Sequence, residues 1–236
     1  MNKASRVHVA AALLLALAAA GGVRAQSSCD SDGQPQPVGL LERFTSADCA
    51  SCWSDGATPR PRRGELAVDW IVPGSKGDDA PMAAAAVRDA VARLEALGHG
   101  PPAGARAAHR RAAPSGHQLR VAHGLAFNGY LGASIELKPG RGGPWQAWLL
   151  LVETLPAGTE GSPVERNLVR NALQPAWAGP APLSKAQQRR LFESRPMSIP
   201  EGADPNRLRV VGWVEDARGR IRAIAQSLCV APAGKG

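Results

Sequence analysis

Val38 to Phe44 is an apolar run that leads straight into Thr45-Ser46-Ala47-Asp48-Cys49-Ala50-Ser51-Cys52-Trp53. Two cysteines, two residues apart and just past a strand, constrain the fold more than any other feature of this chain. The spacer lets both sulfurs meet on one helical turn, so the pair predicts a tight strand-to-helix junction. Three chemistries fit it: a dithiol–disulfide couple, a disulfide that merely locks a turn, and half of a metal site. A closed metal site needs about four ligands, which only the distant cysteines or histidines could complete.

Compartment bears on that choice. Lys3 and Arg6 precede an apolar run from Val9 to Ala20, and Val23-Arg24-Ala25 has the small-residue pattern of a cleavage site. Residues 1–25 therefore read as a signal peptide, with Gln26 the expected mature N-terminus. The run falls short of the ~20 apolar residues a span needs, and no second run is long enough. The mature chain is expected to be periplasmic or secreted, with no stable membrane span. All four cysteines, Cys29, Cys49, Cys52 and Cys229, follow the leader, and an even count in an exported protein points to disulfides. Cys49 and Cys52 are the local pair, which leaves Cys29 and Cys229. Chain ends often meet at a domain surface, so these two suit a staple worth up to ~4–5 kcal/mol on a chain-entropy account.

Charge excludes one class of partner. The formal charge of +8 falls to +5 once Lys3, Arg6 and Arg24 are removed with the leader. The surplus is arginine spread through Ala-, Pro- and Gly-rich sequence. Aromatic residues are few and do not interleave with it, so no nucleic-acid surface is expected.

Along the chain, 26–37 reads as an extended lead-in. Strands are expected at Val38–Phe44, Leu66–Val72, Gln118–Phe127, Gly132–Leu137, Trp145–Thr154, Leu208–Glu215 and Arg220–Val230. Gly132–Leu137 and Trp145–Thr154 suggest an antiparallel hairpin across Lys138–Pro144, and the last two strands form a second hairpin that carries Cys229. The best helix runs from Pro81 to Leu97, with Asp79 as N-cap and Gly98 as stop, because Met82, Ala86, Val87, Ala90, Val91, Leu94 and Leu97 recur at helical spacing. Ser184 with Gln187 makes a capping box for a short helix to Phe192. Helix and strand compete at Val164–Asn171. Residues 99–116 read as a long basic loop. His99, His109, His117 and His123 cluster in and just after it, but Arg106, Arg110 and Arg111 repel a cation, so no metal is assigned there.

A thiolate is the attacking species, and a helix N-terminus would lower the pKa of Cys49 while Asp48 would raise it. Cys52 sits one turn on, in reach to resolve a mixed disulfide. Trp53 follows, placed to cover the pair or to face a substrate. Arg166 and Asn167 are candidates for lining a groove between the chain's two halves. No phosphate loop, paired carboxylates or Ser-His-Asp order stands out, so no cofactor is assigned.

The stretch Leu41-Glu42-Arg43-Phe44-Thr45-Ser46-Ala47-Asp48-Cys49-Ala50-Ser51-Cys52 resembles a bacterial family of secreted thioredoxin-like proteins of unknown function. There a strand ending Glu-Leu-Phe-Thr-Ser leads into Gln-Gly-Cys-Ser-Ser-Cys. Arg166-Asn167-Leu168-Val169-Arg170 similarly resembles that family's Arg-Asn-Val-Val-Arg segment. The resemblance implies an α/β fold, with a thioredoxin-like part at 38–116 and an antiparallel β-rich part at 117–236. It implies thiol–disulfide exchange with an exported protein or thiol partner, Cys49 attacking and Cys52 resolving. The reading from another class is a non-enzymatic periplasmic interaction protein with structural disulfides, and a copper- or zinc-binding protein is the third.

Overall fold

The computed structural model describes residues 29–177 and 183–229; the expected signal peptide and the first residues of the lead-in lie outside the described residues. Eleven strands build two sheets among them. They are β1 (Cys29–Asp30), β2 (Gly39–Ser46), β3 (Glu65–Val72), β4 (Ala105–Arg111), β5 (Gln118–Phe127), β6 (Tyr130–Lys138), β7 (Gln146–Leu155), β8 (Arg166–Leu173), β9 (Leu191–Ser198), β10 (Leu208–Glu215) and β11 (Ile221–Gln226). The α-helices are short: α1 (Ala50–Trp53), α2 (Asp89–Ala96) and α3 (Lys185–Arg189).

Strand makes up 44% of the structure and helix 13%, which overturns the expected α/β, thioredoxin-like class in favour of a β-rich fold. The cause is local. After Cys52 the chain meets Gly56, Pro59 and Pro61, so α1 stops after one turn and no helix layer covers the sheet there. The long helix expected from Pro81 also fails. Gly77–Asp79 and Ala83–Ala85 are 3₁₀ turns, Ala86 bridges Ile71 in the parallel sense, and helix begins at Asp89 with Arg88 as its cap. Apolar residues at 82–87 cover β3 from irregular backbone, and this mimicked helical periodicity.

The seven-stranded sheet has the order β11-β10-β7-β8-β3-β2-β4 and draws strands from both expected parts of the chain. β2 and β3 are parallel, and β4 lies antiparallel on the other side of β2. β3 and β8 are also parallel, joined by one ladder pair, Asp69 with Leu168. The sheet curls until its ends approach: the Ala113 N–H donates to the Ile221 carbonyl at 2.8 Å, and the Ser115 hydroxyl to that of Arg222 at 2.6 Å. The four-stranded sheet, β1-β5-β6-β9, packs on β7, β10 and β11.

Alternation along β7 divides the core. Ala147, Leu149 and Leu151 face the small sheet, while Trp148, Leu150 and Val152 face the inside of the curl with Phe44, Trp70, Ala90, Leu94 and Trp213. Inside the curl Phe44, Trp70, Trp148 and Trp213 form a continuous aromatic chain, with centroids 6.1, 6.0 and 5.8 Å apart, the outer two pairs stacked and Trp70 edge-on to Trp148.

Three further expectations are corrected. The loop at 99–116 contains β4, an edge strand. Its Ala, Arg and His residues face solvent on much of their surface, so no apolar alternation marked it. Gly132–Leu137 and Trp145–Thr154 do not form a hairpin, because β6 pairs with β5 and β9 while β7 pairs with β8 and β10. The true hairpin is β5–β6, closed by Asn128-Gly129, both at positive φ (49° and 75°) as a tight two-residue turn demands. Finally, Phe192 belongs to β9; the Ser184–Gln187 capping box is present, but α3 ends at Arg189.

Candidate functional site

Cys49 and Cys52 are joined as a disulfide, and Cys29 and Cys229 form the second, so no cysteine is free. Cys49 occupies the cap position of α1 and both sulfur-bearing residues are half-buried. The turn is held by backbone on two sides. The Ala47 N–H donates to the Val72 carbonyl at 2.8 Å, which fixes it to the end of β3. The Ser46 N–H donates to the Gly104 carbonyl at 2.7 Å, which fixes it to the start of β4. Gly104 comes so close that a Cβ there would lie 3.3 Å from the Cys52 sulfur. A four-residue helix adds little dipole, so the depression of the Cys49 pKa expected from a helix terminus has no strong source.

Asp48 points away from chemistry. Its carboxylate accepts from the Ser75 N–H at 2.7 Å, the Ser75 hydroxyl at 2.9 Å and the Lys76 N–H at 3.3 Å. Desolvation works to raise its pKa, but those hydrogen bonds and the Lys76 charge outweigh it and hold the carboxyl below its ordinary value. The residue that threatened to hinder a neighbouring thiolate is thus spent on anchoring the 74–76 loop.

Beneath the disulfide lies a buried ionic cluster. Asp69, an acid in the middle of β3, accepts from Arg43 at 2.7 Å, Arg166 at 3.0 Å and the Asn167 N–H at 2.9 Å. Two guanidinium groups thus share one carboxylate. Burial pulls the Arg166 pKa below its ordinary value; Asp69 pulls it up, while the Arg43 charge adds to the fall. The Nε of Arg43 is buried without a hydrogen-bond partner among the described residues. Arg43, Arg166, Arg106, Thr45, Thr58 and Cys52 help to line a cleft of about 130 Å³.

The sequence-predicted residues divide into two groups. Cys49, Cys52, Trp53 and Arg166 come together: the Arg166 guanidinium lies 4.5 Å from the Trp53 ring centroid and donates to the Trp53 carbonyl at 2.8 Å. The Trp53 indole N–H in turn donates to the Glu160 carbonyl at 2.8 Å, so the ring braces α1 against the 156–163 loop. Asn167 lies apart from them and lines a separate groove of about 540 Å³ with Arg43, Glu65, Ala67 and Arg209. Its amide donates to the Ala67 carbonyl and accepts from the Thr154 hydroxyl, both at 2.9 Å, and ties β3, β7 and β8 together.

The histidines do not converge as a group. His109 pairs with Glu65 at 2.8 Å on β4, and His117 meets the Pro139 carbonyl at 3.0 Å and the edge of Trp145. Sequence reasoning missed Asp69 and Gly104. For Asp69 the signal was present, a single carboxylate inside Leu66–Val72; for Gly104 nothing in its Pro/Ala/Gly surroundings sets it apart. No helix among the described residues is long and apolar enough to cross a membrane. No protein-family model, curated protein or solved structure matches this chain.

Proposed function

We propose that this is an exported protein that exchanges thiols and disulfides with a protein or small-thiol partner through Cys49 and Cys52. One observation carries the reading: a half-exposed disulfide on a single turn borders a cleft with buried arginine charge. Positive charge lowers the pKa of a nearby thiol, and a leaving thiolate of lower pKa departs faster. Arg43 and Arg166, with Arg106 at the rim, supply on the Cys52 side the charge that the short helix does not.

In the reduced chain the Cys49 thiolate attacks a partner disulfide, forms a mixed disulfide and releases one partner thiolate. Cys52 then attacks the Cys49 sulfur, releases the second partner thiolate and closes the pair, so two electrons pass to the partner. The reverse sequence oxidises a partner dithiol. Two disulfides and no free cysteine suit a compartment outside the cytoplasm.

The test is stepwise reduction of the mature protein by a dithiol, with alkylation and mass mapping. Cys49–Cys52 should open first, and Cys49→Ser should abolish exchange with a disulfide-bonded peptide while leaving the near-ultraviolet spectrum of the tryptophans unchanged. A reduced pair with no thiolate at neutral pH and no exchange above a free dithiol overturns the proposal.

The second reading is a non-enzymatic interaction protein in which the pair locks a turn. The bracing of Trp53 by Arg166 and Glu160 favours it. It expects Cys49→Ser/Cys52→Ser to lower stability by about 2 kcal/mol, as for any short closed loop, with partner binding intact in what still folds.

A further inference from the structure

The second disulfide has a neighbour that the fold does not use. His123 pairs with Cys29 across β5 and β1, and one of its ring nitrogens lies within 4.8 Å of both the Cys29 and Cys229 sulfurs. The residue is 5% exposed. Its Nδ1 is 2.9 Å from the Gly124 carbonyl, which can only accept, so Nδ1 carries the proton and Nε2 is left with a lone pair. That Nε2 is buried and has no hydrogen-bond partner among the described residues. Such an orphan costs stability unless it has a use. The β5–β6 register also shifts immediately after His123, an irregularity of the kind that re-aims a side chain beside a site.

An imidazole whose Nδ1–H is held by a backbone carbonyl, leaving Nε2 free, has the arrangement of a metal-binding histidine. We infer that Cys29, Cys229 and His123 form a three-ligand site for a soft monovalent cation, copper(I), once their disulfide is reduced. Reduction takes two electrons and two protons from a dithiol, which leaves as its own disulfide, and yields two cysteine thiols. One Cu⁺ then replaces the two thiol protons, which pass to water, and accepts the imidazole lone pair as its third donor.

Geometry and charge both fit. With metal–sulfur bonds of about 2.3 Å and a metal–nitrogen bond of about 2.0 Å, as for zinc, bound sulfurs lie at most ~4.6 Å apart. The two sulfurs and a ring nitrogen of His123 lie within 4.8 Å of one another, so rotation of the freed cysteine side chains and of the imidazole brings three donors onto one ion. Two thiolates with one Cu⁺ carry a single negative charge, and Arg209, whose field reaches His123, offsets it. Thiolate and imidazole donors select copper(I) or zinc, but closed zinc sites take four ligands and this group supplies three. Cys229 is exposed and provides the way in, while Cys29 and His123 are buried.

The experiment uses the mature chain carrying Cys49→Ser/Cys52→Ser, reduced by a dithiol without oxygen and freed of it. Copper(I) is titrated against a chromophoric chelator and the product read by X-ray absorption. The expected result is one equivalent, bound by two sulfurs and one nitrogen, with affinity lowered about tenfold or more by His123→Ala and no binding by the oxidised chain. If that background does not fold, the reduced native-cysteine chain is titrated instead, and His123→Ala should weaken one of its copper(I) equivalents by the same factor. Equal affinity in His123→Ala, an all-sulfur shell, preference for zinc, or loss of the tryptophan near-ultraviolet signal on reduction would each overturn the inference.

Discussion

Glu42 and Arg43 are neighbours on β2 and face opposite sides of it, and each ends in a buried ionic cluster of different character. On the inner side, Glu42 receives two bonds of 2.7 Å from Arg93, whose guanidinium also reaches Glu215 at 2.8 Å. Arg110 completes a set of two acids and two bases, and the Trp148 and Trp213 rings lie 5.4 and 5.1 Å from the Arg93 guanidinium. That cluster is neutral, and Arg93 within it is fully buried. On the outer side, Arg43, Arg166 and Arg106 meet two acids, Asp69, which the first two share, and Asp55 at the cleft; one Nε goes unmet among the described residues, and the cleft beside Cys52 opens there. A balanced cluster inside aromatic walls holds α2 to the two ends of the curled sheet. An unbalanced one at an opening retains charge that can act on what enters. The difference separates a structural ionic network from one suited to chemistry.

The strongest way to break this comparison is Arg93→Met. It leaves two carboxylates facing each other with only Arg110 nearby, and an uncompensated buried charge costs about 3–5 kcal/mol. The urea midpoint should fall accordingly, with little change in the reactivity of Cys49–Cys52 in the protein that remains folded. Asp69→Asn is the matching change outside the curl. It removes the carboxylate that Arg43 and Arg166 both bond, and a loss of about 3 kcal/mol is expected. Here the disulfide should respond as well, because Arg166 also holds the Trp53 carbonyl.

Neither cluster was legible as a cluster in the sequence, though much of the framework was. β5 and β10 begin and end where their apolar patterns do, and β2, β3 and β7 are displaced by one or two residues. The cysteine pairing followed from count and spacing. What failed were inferences that needed the third dimension. Arg93 lies on the apolar side of α2, three residues from Ala90 and four from Leu97, but its partners Glu42 and Glu215 come from β2 and β10, which the sequence does not bring together. Apolar residues at 82–87 match a helix because covering one strand from irregular backbone imposes no period of its own. β4 lacks apolar alternation because none of its residues is fully buried on either face. The Asn128-Gly129 turn, by contrast, was fully readable, and it places β6 beside β5 rather than beside β7.

Acid should separate the clusters next. Burial works to raise the Glu215 pKa, but the charges and hydrogen bonds of Arg93 and Arg110 prevail and hold it below the ordinary glutamate value. A carboxyl depressed in the folded state contributes stability that is present above its unfolded pKa of about 4.5 and is lost as pH falls through the folded value. The urea midpoint should therefore decline below about pH 4.5. Arg93→Met, which removes the first-named partner of Glu215, should flatten that decline. An unchanged slope in the variant would mean that Glu215 is not what acid titrates.

The smallest expected effect bears most directly on function. Arg106 is exposed at the rim of the cleft that Cys52 helps to line, so reversing its charge alters the field there without opening a core. Arg106→Glu should change stability by less than about 0.5 kcal/mol. Two units of charge acting at ~8 Å in water are worth ~1 kcal/mol, about fivefold in rate. Reduction of Cys49–Cys52 by the anionic tripeptide thiol glutathione should slow by that factor, and reduction by cationic cysteamine should quicken. Both changes should shrink in molar salt, where the screening length falls to ~3 Å. If both thiols respond alike, or neither responds to salt, the arginines beside Cys52 do not act on what approaches it, and the outer cluster is as structural as the inner one.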